Sequence, residues 1–449
     1  MNSAGKSTSR HDVKVRKVAV AGLATALLLS ACSSASDSAP TTASAAPGSN
    51  SSEPNSPGSA DNAVLSFDTQ GMDAVVSEKA EGFREIAMVV MITTPTQKYV
   101  NTWGSVREGV NEPPTLDTKV RVGSNTKTWT GTAVLQLIDE GKLAVTDPVS
   151  KYRPDVPNGD NITIGDLLDM RSGLYNYTET LELNRALDEQ PERVWTPEEL
   201  LAMGLSQPPY FAPDTGYHYS NTNTVLLGLI AEQLDGKPIQ QIFADRFFRP
   251  LALTGTSFPA NTDTSIPTPY ADGYTYSGNV ETLGEGKEAL PQSRLDAIAA
   301  GTEKPTNTTM HNPSWTWSAG QGISTANDMA TWVKALGTGS LLSPATQELR
   351  LNSVQPTGGE GSAGYGYGIA QMGPMFGHIG ELPGYNSFMG YDPVNDVTMV
   401  VWGNLAPTAD GFAPASAVAS ALVPFIYGKP AKATSDDISD TEDANGEGK

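Results

Sequence analysis

The sequence predicts an α/β (α+β) fold in which both ends of the chain feed one antiparallel sheet and a mainly helical lobe is inserted between them. Three observations carry that expectation. Residues 85–94 and 98–103 are β-rich runs separated by Thr94-Pro-Thr96. Residues 387–391 and 397–403 form a second such pair around the turn Asp392-Pro-Val-Asn-Asp396. Between the pairs, apolar residues recur at helical spacing over 164–170, 197–203, 223–234, 239–247 and 326–336, and a last helix is expected over 415–426. A chain of 449 residues with 38% hydrophobic content and a mean hydropathy of −0.28 can bury a large core as a globular body.

The two ends read differently from the body. Lys6, Arg10, Lys14, Arg16 and Lys17 precede an apolar run over 18–29, which is too short to span a membrane and reads as an export signal covering 1–31. The run closes on Leu29-Ser-Ala-Cys32, which resembles the bacterial lipobox. That resemblance implies that Cys32 becomes the first residue of the mature chain, carries fatty acyl groups such as palmitate, and anchors it to the outer face of the cell membrane. Residues 32–65 are Ser, Ala, Pro and Gly-rich and read as a flexible tether. Residues 66–428 are the expected globular domain, and the acidic stretch 429–449 reads as a solvated tail. The formal charge of −21 argues against a nucleic-acid partner.

Within the body, residues 260–313 are Thr, Pro, Gly and Asn-rich and are expected as a long surface excursion beside a cleft. The stretch that starts at Ser124 reads as an amphipathic helix with Val134, Leu135, Leu137 and Ile138 inward, ending at Asp139-Glu140 with Gly141 as a left-handed cap. Ser124 at its first turn gains from the positive end of the helix, and Lys127 projects from the same face one turn later. A lysine in an apolar pocket loses its proton more readily than in water, so it can serve as the base for the hydroxyl beside it. The spacing alone decides nothing, because Ser3 and Lys6 repeat it inside the export signal.

Three segments decide the matter jointly. Ser124-Asn-Thr-Lys127, Tyr219-Ser-Asn221 and His378-Ile-Gly380, with Arg171-Ser-Gly-Leu-Tyr175 and Ser318-Ala-Gly320 between them, resemble the serine penicillin-recognising hydrolases. That group comprises the class C β-lactamases, the secreted D-alanyl-D-alanine carboxypeptidases and related esterases, and the similarity is closest to the carboxypeptidases, where histidine opens the last motif. It extends over about residues 70–428. The resemblance implies a Ser124 acyl-enzyme, with Lys127 and Tyr219 sharing the proton work, Tyr219 as phenolate made more acidic by the Lys127 ammonium or as relay. Asn221 would bond the Lys127 amine or the substrate amide, and His378 would orient the Tyr219 hydroxyl and the substrate. Gly380 would let substrate backbone approach, the N–H groups of Ser124 and Glu381 would meet the oxyanion, and Trp315 would line the acyl-side pocket, with Trp317 in the core.

The implied substrate is a small molecule or peptide, the peptidoglycan stem peptide among the candidates, with no cofactor. Two departures bear on it. Carboxypeptidase relatives carry threonine where this chain has Ile379, and an arginine shortly before the motif that holds a terminal carboxylate, whereas residues 364–377 contain neither Arg nor Lys. An esterase of the same fold, or a penicillin-binding sensor with little turnover, are the alternatives. No metal is expected, since His11, His218, His311 and His378 show no ligand spacing and Cys32 is the only cysteine.

Overall fold

The computed structural model describes residues 64–283, 290–359, 362–409, 411 and 413–428. The export signal, Cys32, the tether up to residue 63 and the acidic tail therefore lie outside the described residues.

Strands buried on both faces build the centre of the sheet. The main sheet has eight antiparallel strands among the described residues: β1 (Ala87–Thr93), β2 (Lys98–Gly104), β3 (Gln355–Pro356), β4 (Gly364–Gly366), β5 (Ile369–Met372), β6 (Met375–Leu382), β7 (Tyr385–Asp392) and β8 (Val397–Gly403). The order is β2-β1-β8-β7-β6-β5-β4-β3, so the two ends of the chain meet at β1 and β8, with Val90 opposite Val401. Successive side chains point to opposite faces. Val89, Met91, Val400 and Trp402 join the core beneath the helical lobe, while Met88, Val90, Ile92, Met399 and Val401 join a second core on the other face. Both faces are buried, which is why β1 and β8 read as continuous apolar runs.

The second core is closed by two helices from the ends of the domain. Helix α1 (Thr69–Phe83) starts where Asp68 Oδ1 accepts from Gly71 N at 3.0 Å, which satisfies one otherwise unpaired N–H of the first turn. The last helix, Pro414–Tyr427, begins with proline, whose missing N–H costs nothing there, and buries Val418, Leu422 and Ile426. Leu65 N donates to Ile426 O at 2.8 Å and ties the two ends together. Each large apolar side chain so buried contributes roughly 1.5–3 kcal/mol.

The lobe is organised around helix α2 (Thr126–Asp139), which follows a 3-10 turn at Gly123–Asn125. Gly141 takes the left-handed cap at φ 70° as expected. The expected amphipathic character is not observed: every residue from Thr126 to Leu135 is buried. Its threonines can be inside because each hydroxyl has a partner. Thr126 accepts from Gly322 N at 3.1 Å, Thr128 donates to Asn125 O at 2.7 Å, Thr130 donates to Ser318 O at 2.7 Å, and Thr132 donates to Thr128 O at 2.7 Å. Unsatisfied, each would cost about 1–3 kcal/mol. Beside α2 packs helix α3 (Asn221–Asp235), and Ala326–Thr338 covers the sheet from the lobe side.

The region 260–313 departs from a simple surface excursion. Tyr274–Thr275 pairs with Thr306–Asn307, Tyr274 N donates to Asn404 O at 2.9 Å, and Ala406 N donates to Tyr274 O at 3.0 Å. Ala271 and Tyr274 are buried, so part of this segment is docked on the end of the sheet.

Candidate active site

Ser124 sits in the 3-10 turn between the short strand Val120–Arg121 and α2, half-buried among neighbours that are fully buried. The turn is fastened to the sheet by Ser387 on β7, whose hydroxyl accepts from Asn125 Nδ2 at 2.7 Å and donates to Val122 O at 3.2 Å. Gly123 has φ 53°, a left-handed conformation that disfavours side chains, and a Cβ there would lie 2.6 Å from Glu381 N. Glycine thus brings the Ser124 turn directly against the Glu381 peptide, the pair of backbone groups expected at an oxyanion.

Lys127, 1% exposed, points its amine back at the turn. Nζ lies 2.9 Å from Ser124 Oγ, 2.6 Å from Asn221 Oδ1 and 2.8 Å from Ala319 O. Burial pushes its pKa well below the usual lysine value, because the charged form has lost its water. Asn221 is the first residue of α3, so the starts of two packed helices bring it to Lys127. The carbonyl of Ala319, in the turn Trp317–Ala319, is a partner that sequence reading did not supply.

Tyr219 presents its ring face to Lys127, with Nζ 4.8 Å from the ring centroid. Its buried hydroxyl lies beside Ser124 but makes no hydrogen bond of regular geometry. The expected acidic phenol is corrected here. Burial pushes the Tyr219 pKa well above its usual value, and the nearby Ser124 hydroxyl offsets only part of that. The resting residue is a neutral phenol.

His378 also departs from its expected role. Its Nε2 lies 3.1 Å from Tyr365 Oη and its Nδ1 lies 2.5 Å from Ile379 O, while its ring centre is 6.1 Å from that of Tyr219. Burial pushes its pKa down to about 3, so the ring is neutral and carries one proton. A carbonyl can only accept, so that proton is assigned to Nδ1 and Nε2 accepts from Tyr365. His378 therefore orients no Tyr219 hydroxyl in this arrangement; its Nε2 is taken up by Tyr365, which is 4% exposed and edge-on to the Tyr219 ring.

The remaining predicted residues divide. Any Cβ at Gly380 would collide with Val122 O, so this glycine serves the packing of β6 on the Ser124 turn before it serves a substrate. Ile379 alternates away from His378 and packs into the core on the opposite face of the sheet, so it cannot set specificity by touching a substrate beside Ser124. Trp315 is half-buried against the lobe core, its carbonyl accepting from Tyr177 Oη at 2.8 Å, and Trp317 is buried as expected.

A family model described as Beta-lactamase matches residues 72–422. The chain belongs to the beta-lactamase family. Within this family it is 27% identical over 298 residues to PbpX of Bacillus subtilis (strain 168), covering 65% of this chain and 63% of that one. It is 31% identical over 182 residues to the D-alanyl-D-alanine-carboxypeptidase/endopeptidase AmpH of Escherichia coli (strain K12), covering 39% and 46%. Both matches span less than two thirds of the relative's own length. Among solved structures, a D-stereospecific amidohydrolase from Streptomyces sp. superposes with a TM-score of 0.65 at 26% identity, covering 78% of this chain and 98% of that one. This mixed fold, a large antiparallel sheet flanked by helices, is the one the sequence predicted.

Proposed function

We propose that this chain is a serine hydrolase that acts through a Ser124 acyl-enzyme on peptide or amide substrates of the cell-wall type. The observation that carries the reading is the set of partners around Lys127 Nζ. A neutral amine has two N–H bonds and one lone pair. Asn221 Oδ1 and Ala319 O can only accept, so they take the two protons and leave the lone pair for the Ser124 hydroxyl.

The chemistry follows from that arrangement. Lys127 takes the Ser124 proton as Oγ bonds the carbonyl carbon, and the carbonyl electron pair moves to oxygen, where the N–H groups of Ser124 and Glu381 meet it. A single such donor is worth about 10²–10³ in rate. The C–N bond then breaks, and the Lys127 proton reaches the leaving nitrogen through the Tyr219 hydroxyl beside Ser124, a relay that a neutral phenol can perform. Water repeats the sequence: Lys127 takes its proton, the acyl–Oγ bond breaks, and Ser124 is reprotonated. General acid–base help of this kind contributes about 10²–10⁴. The likeness to AmpH, a D-alanyl-D-alanine-carboxypeptidase/endopeptidase, and to a D-stereospecific amidohydrolase supports an amide with D-configured residues.

A second reading, an esterase, is favoured by the lack of Arg or Lys over residues 364–377. Ile379 no longer supports it, since its side chain is on the far face. The test is to incubate the full chain and Ser124→Ala with a fluorescent penicillin, a p-nitrophenyl ester and a peptide ending in D-Ala-D-Ala, following intact mass and product. Peptide cleavage by the wild type alone supports the proposal. Ester cleavage without peptide cleavage favours the esterase, and a stable adduct without turnover a penicillin-binding sensor.

We further propose that the protein is exported and held to the outer face of the membrane through acylated Cys32, placing it next to the peptidoglycan. Labelled palmitate should enter the wild type and not Cys32→Ala, which should move to the soluble fraction; retention of Cys32→Ala in membranes would contradict this.

A further inference from the structure

The Lys127 arrangement works only if the Asn221 amide is turned with its oxygen, and not its NH2, toward Nζ. With the amide reversed, Lys127 would lose an acceptor, and the new donor would compete with Ser124 for the lone pair. Asn221 cannot choose its own orientation, since its two ends are nearly identical in shape. What surrounds its other end decides.

That end faces Asn176, in the loop after Ser172-Gly-Leu-Tyr175, 5% exposed. Asn176 Oδ1 accepts from Asn221 N at 3.0 Å, from Asn221 Nδ2 at 3.3 Å and from Thr178 Oγ1 at 3.0 Å. Asn221 Nδ2 also donates to Thr178 Oγ1 at 3.1 Å. The same ambiguity then passes to Asn176, and a carboxylate resolves it: Asn176 Nδ2 donates to Glu179 Oε1 at 3.1 Å. Glu179 is held in turn by Tyr210 Oη at 2.5 Å and His218 Nε2 at 3.0 Å, with the Tyr210 ring stacked between Tyr175 and His218. Burial alone would raise the Glu179 pKa, but the hydrogen bonds from His218, Tyr210 and Asn176 outweigh it and keep the group ionised, hence an acceptor only.

We propose that Asn176 is a positioning residue for acyl transfer, and that a relay running from Glu179 through Asn176 to Asn221 fixes which face of the Asn221 amide meets Lys127. Only Glu179 can do nothing but accept, and each amide inward takes its orientation from the one before it. The relay starts near the surface, where the Glu179 side chain is 40% exposed, and ends on Ser124 Oγ. It rests on the acyl-enzyme reading above.

The test reverses the polarity of one link in the full chain, with p-nitrophenyl ester turnover and Ser124 adduct formation as readouts. Asn176→Leu keeps about the same volume but removes the acceptor that faces Asn221 Nδ2; it should lower kcat by about 10- to 100-fold, the scale of lost outer-shell support, with KM nearly unchanged. Glu179→Gln removes the obligate acceptor and should lower kcat several-fold. The double variant Asn176→Asp/Glu179→Gln sets an obligate acceptor toward Asn221 and again pairs a donor with an acceptor at the outer link, so it should recover most of the Glu179→Gln loss, a coupling that bulk packing would not produce. Wild-type kcat in Asn176→Leu, or a double variant no more active than Glu179→Gln, would overturn the relay while leaving the acyl-enzyme intact. Failure of the wild-type chain to form any Ser124 adduct would instead overturn the acyl-enzyme reading, and the relay with it.

Discussion

Gly380 and Val122 are pressed together so closely that any Cβ on Gly380 would strike Val122 O, the carbonyl that also accepts from Ser387. The strand carrying His378 and the turn carrying Ser124 are thus one packed unit, with the Glu381 peptide against Gly123 as its second contact.

Gly380→Ala should therefore act at a distance of one peptide. The added methyl forces the turn away from the sheet, at a cost of about 1–3 kcal/mol in stability. A displacement of about 1 Å at Ser124 lowers acylation by about 10²-fold. Chemical denaturation and the rate of Ser124 labelling check both; a variant labelled at the wild-type rate would show that the contact is not what places the nucleophile.

Tyr365→Phe removes the hydroxyl that meets His378 Nε2 and nothing else of size. The buried nitrogen then lacks its donor, with an expected loss of about 1–3 kcal/mol in stability. Its ¹⁵N resonance should move while the Nδ1 proton stays, bonded to Ile379 O. An unchanged His378 spectrum would contradict the assigned tautomer.

The pH dependence of activity should belong to Lys127. Its folded pKa is lowered, so the unfolded chain holds that proton more tightly, and both stability and the active neutral amine increase as pH rises from the lowered value toward the ordinary lysine range. His378, pushed down to about 3, adds no limb between about pH 5 and 9. The acid limb of kcat/KM should remain in His378→Gln, and Lys127→Arg should be inactive across the range, since a guanidinium stays protonated.

Glu85 offers a stability signal unconnected to catalysis. Buried beneath β7 and β8, with Asn386 Nδ2 at 3.4 Å from Oε1, its pKa is pushed up from 4.5 to about 8 by burial, against hydrogen bonds that lower it. The folded state binds this proton more tightly, so the stabilisation is complete below 4.5 and is lost as pH rises toward about 8. Glu85→Gln should be more stable than the wild type near pH 8, by on the order of a few kcal/mol, with the gap closing toward pH 4.5. Urea titrations at a series of pH values check the sign.

Much of this was legible in the chain. Continuous β-rich runs located the paired strands at both ends, because β1 and β8 are buried on both faces, and helical spacing located the lobe helices. The Ser124 and Lys127 spacing was legible once Tyr219-Ser-Asn221 and His378-Ile-Gly380 stood behind it. Other features leave no local trace. Thr126, Thr128, Thr130 and Thr132 carry no sign in the sequence of the partners that let them be buried, which are Gly322, Asn125, Ser318 and Arg350. Tyr365 sits between two glycines in a three-residue strand, too short for alternation, and Asn176 lies in a loop, where an amide serving Asn221 looks like any turn residue. Ile379 was misread for a related reason: which face of a strand a residue takes depends on register, and register is set by partners distant in sequence.

The central claim is that a neutral Lys127 activates Ser124 for acyl transfer. Single-turnover acylation by a p-nitrophenyl ester, followed by intact mass in the wild type, Ser124→Ala and Lys127→Arg across pH, tests it most directly. The account predicts one acyl group on Ser124, formed faster as pH rises, and no adduct in either variant. Acylation or turnover that survives in Ser124→Ala would contradict it.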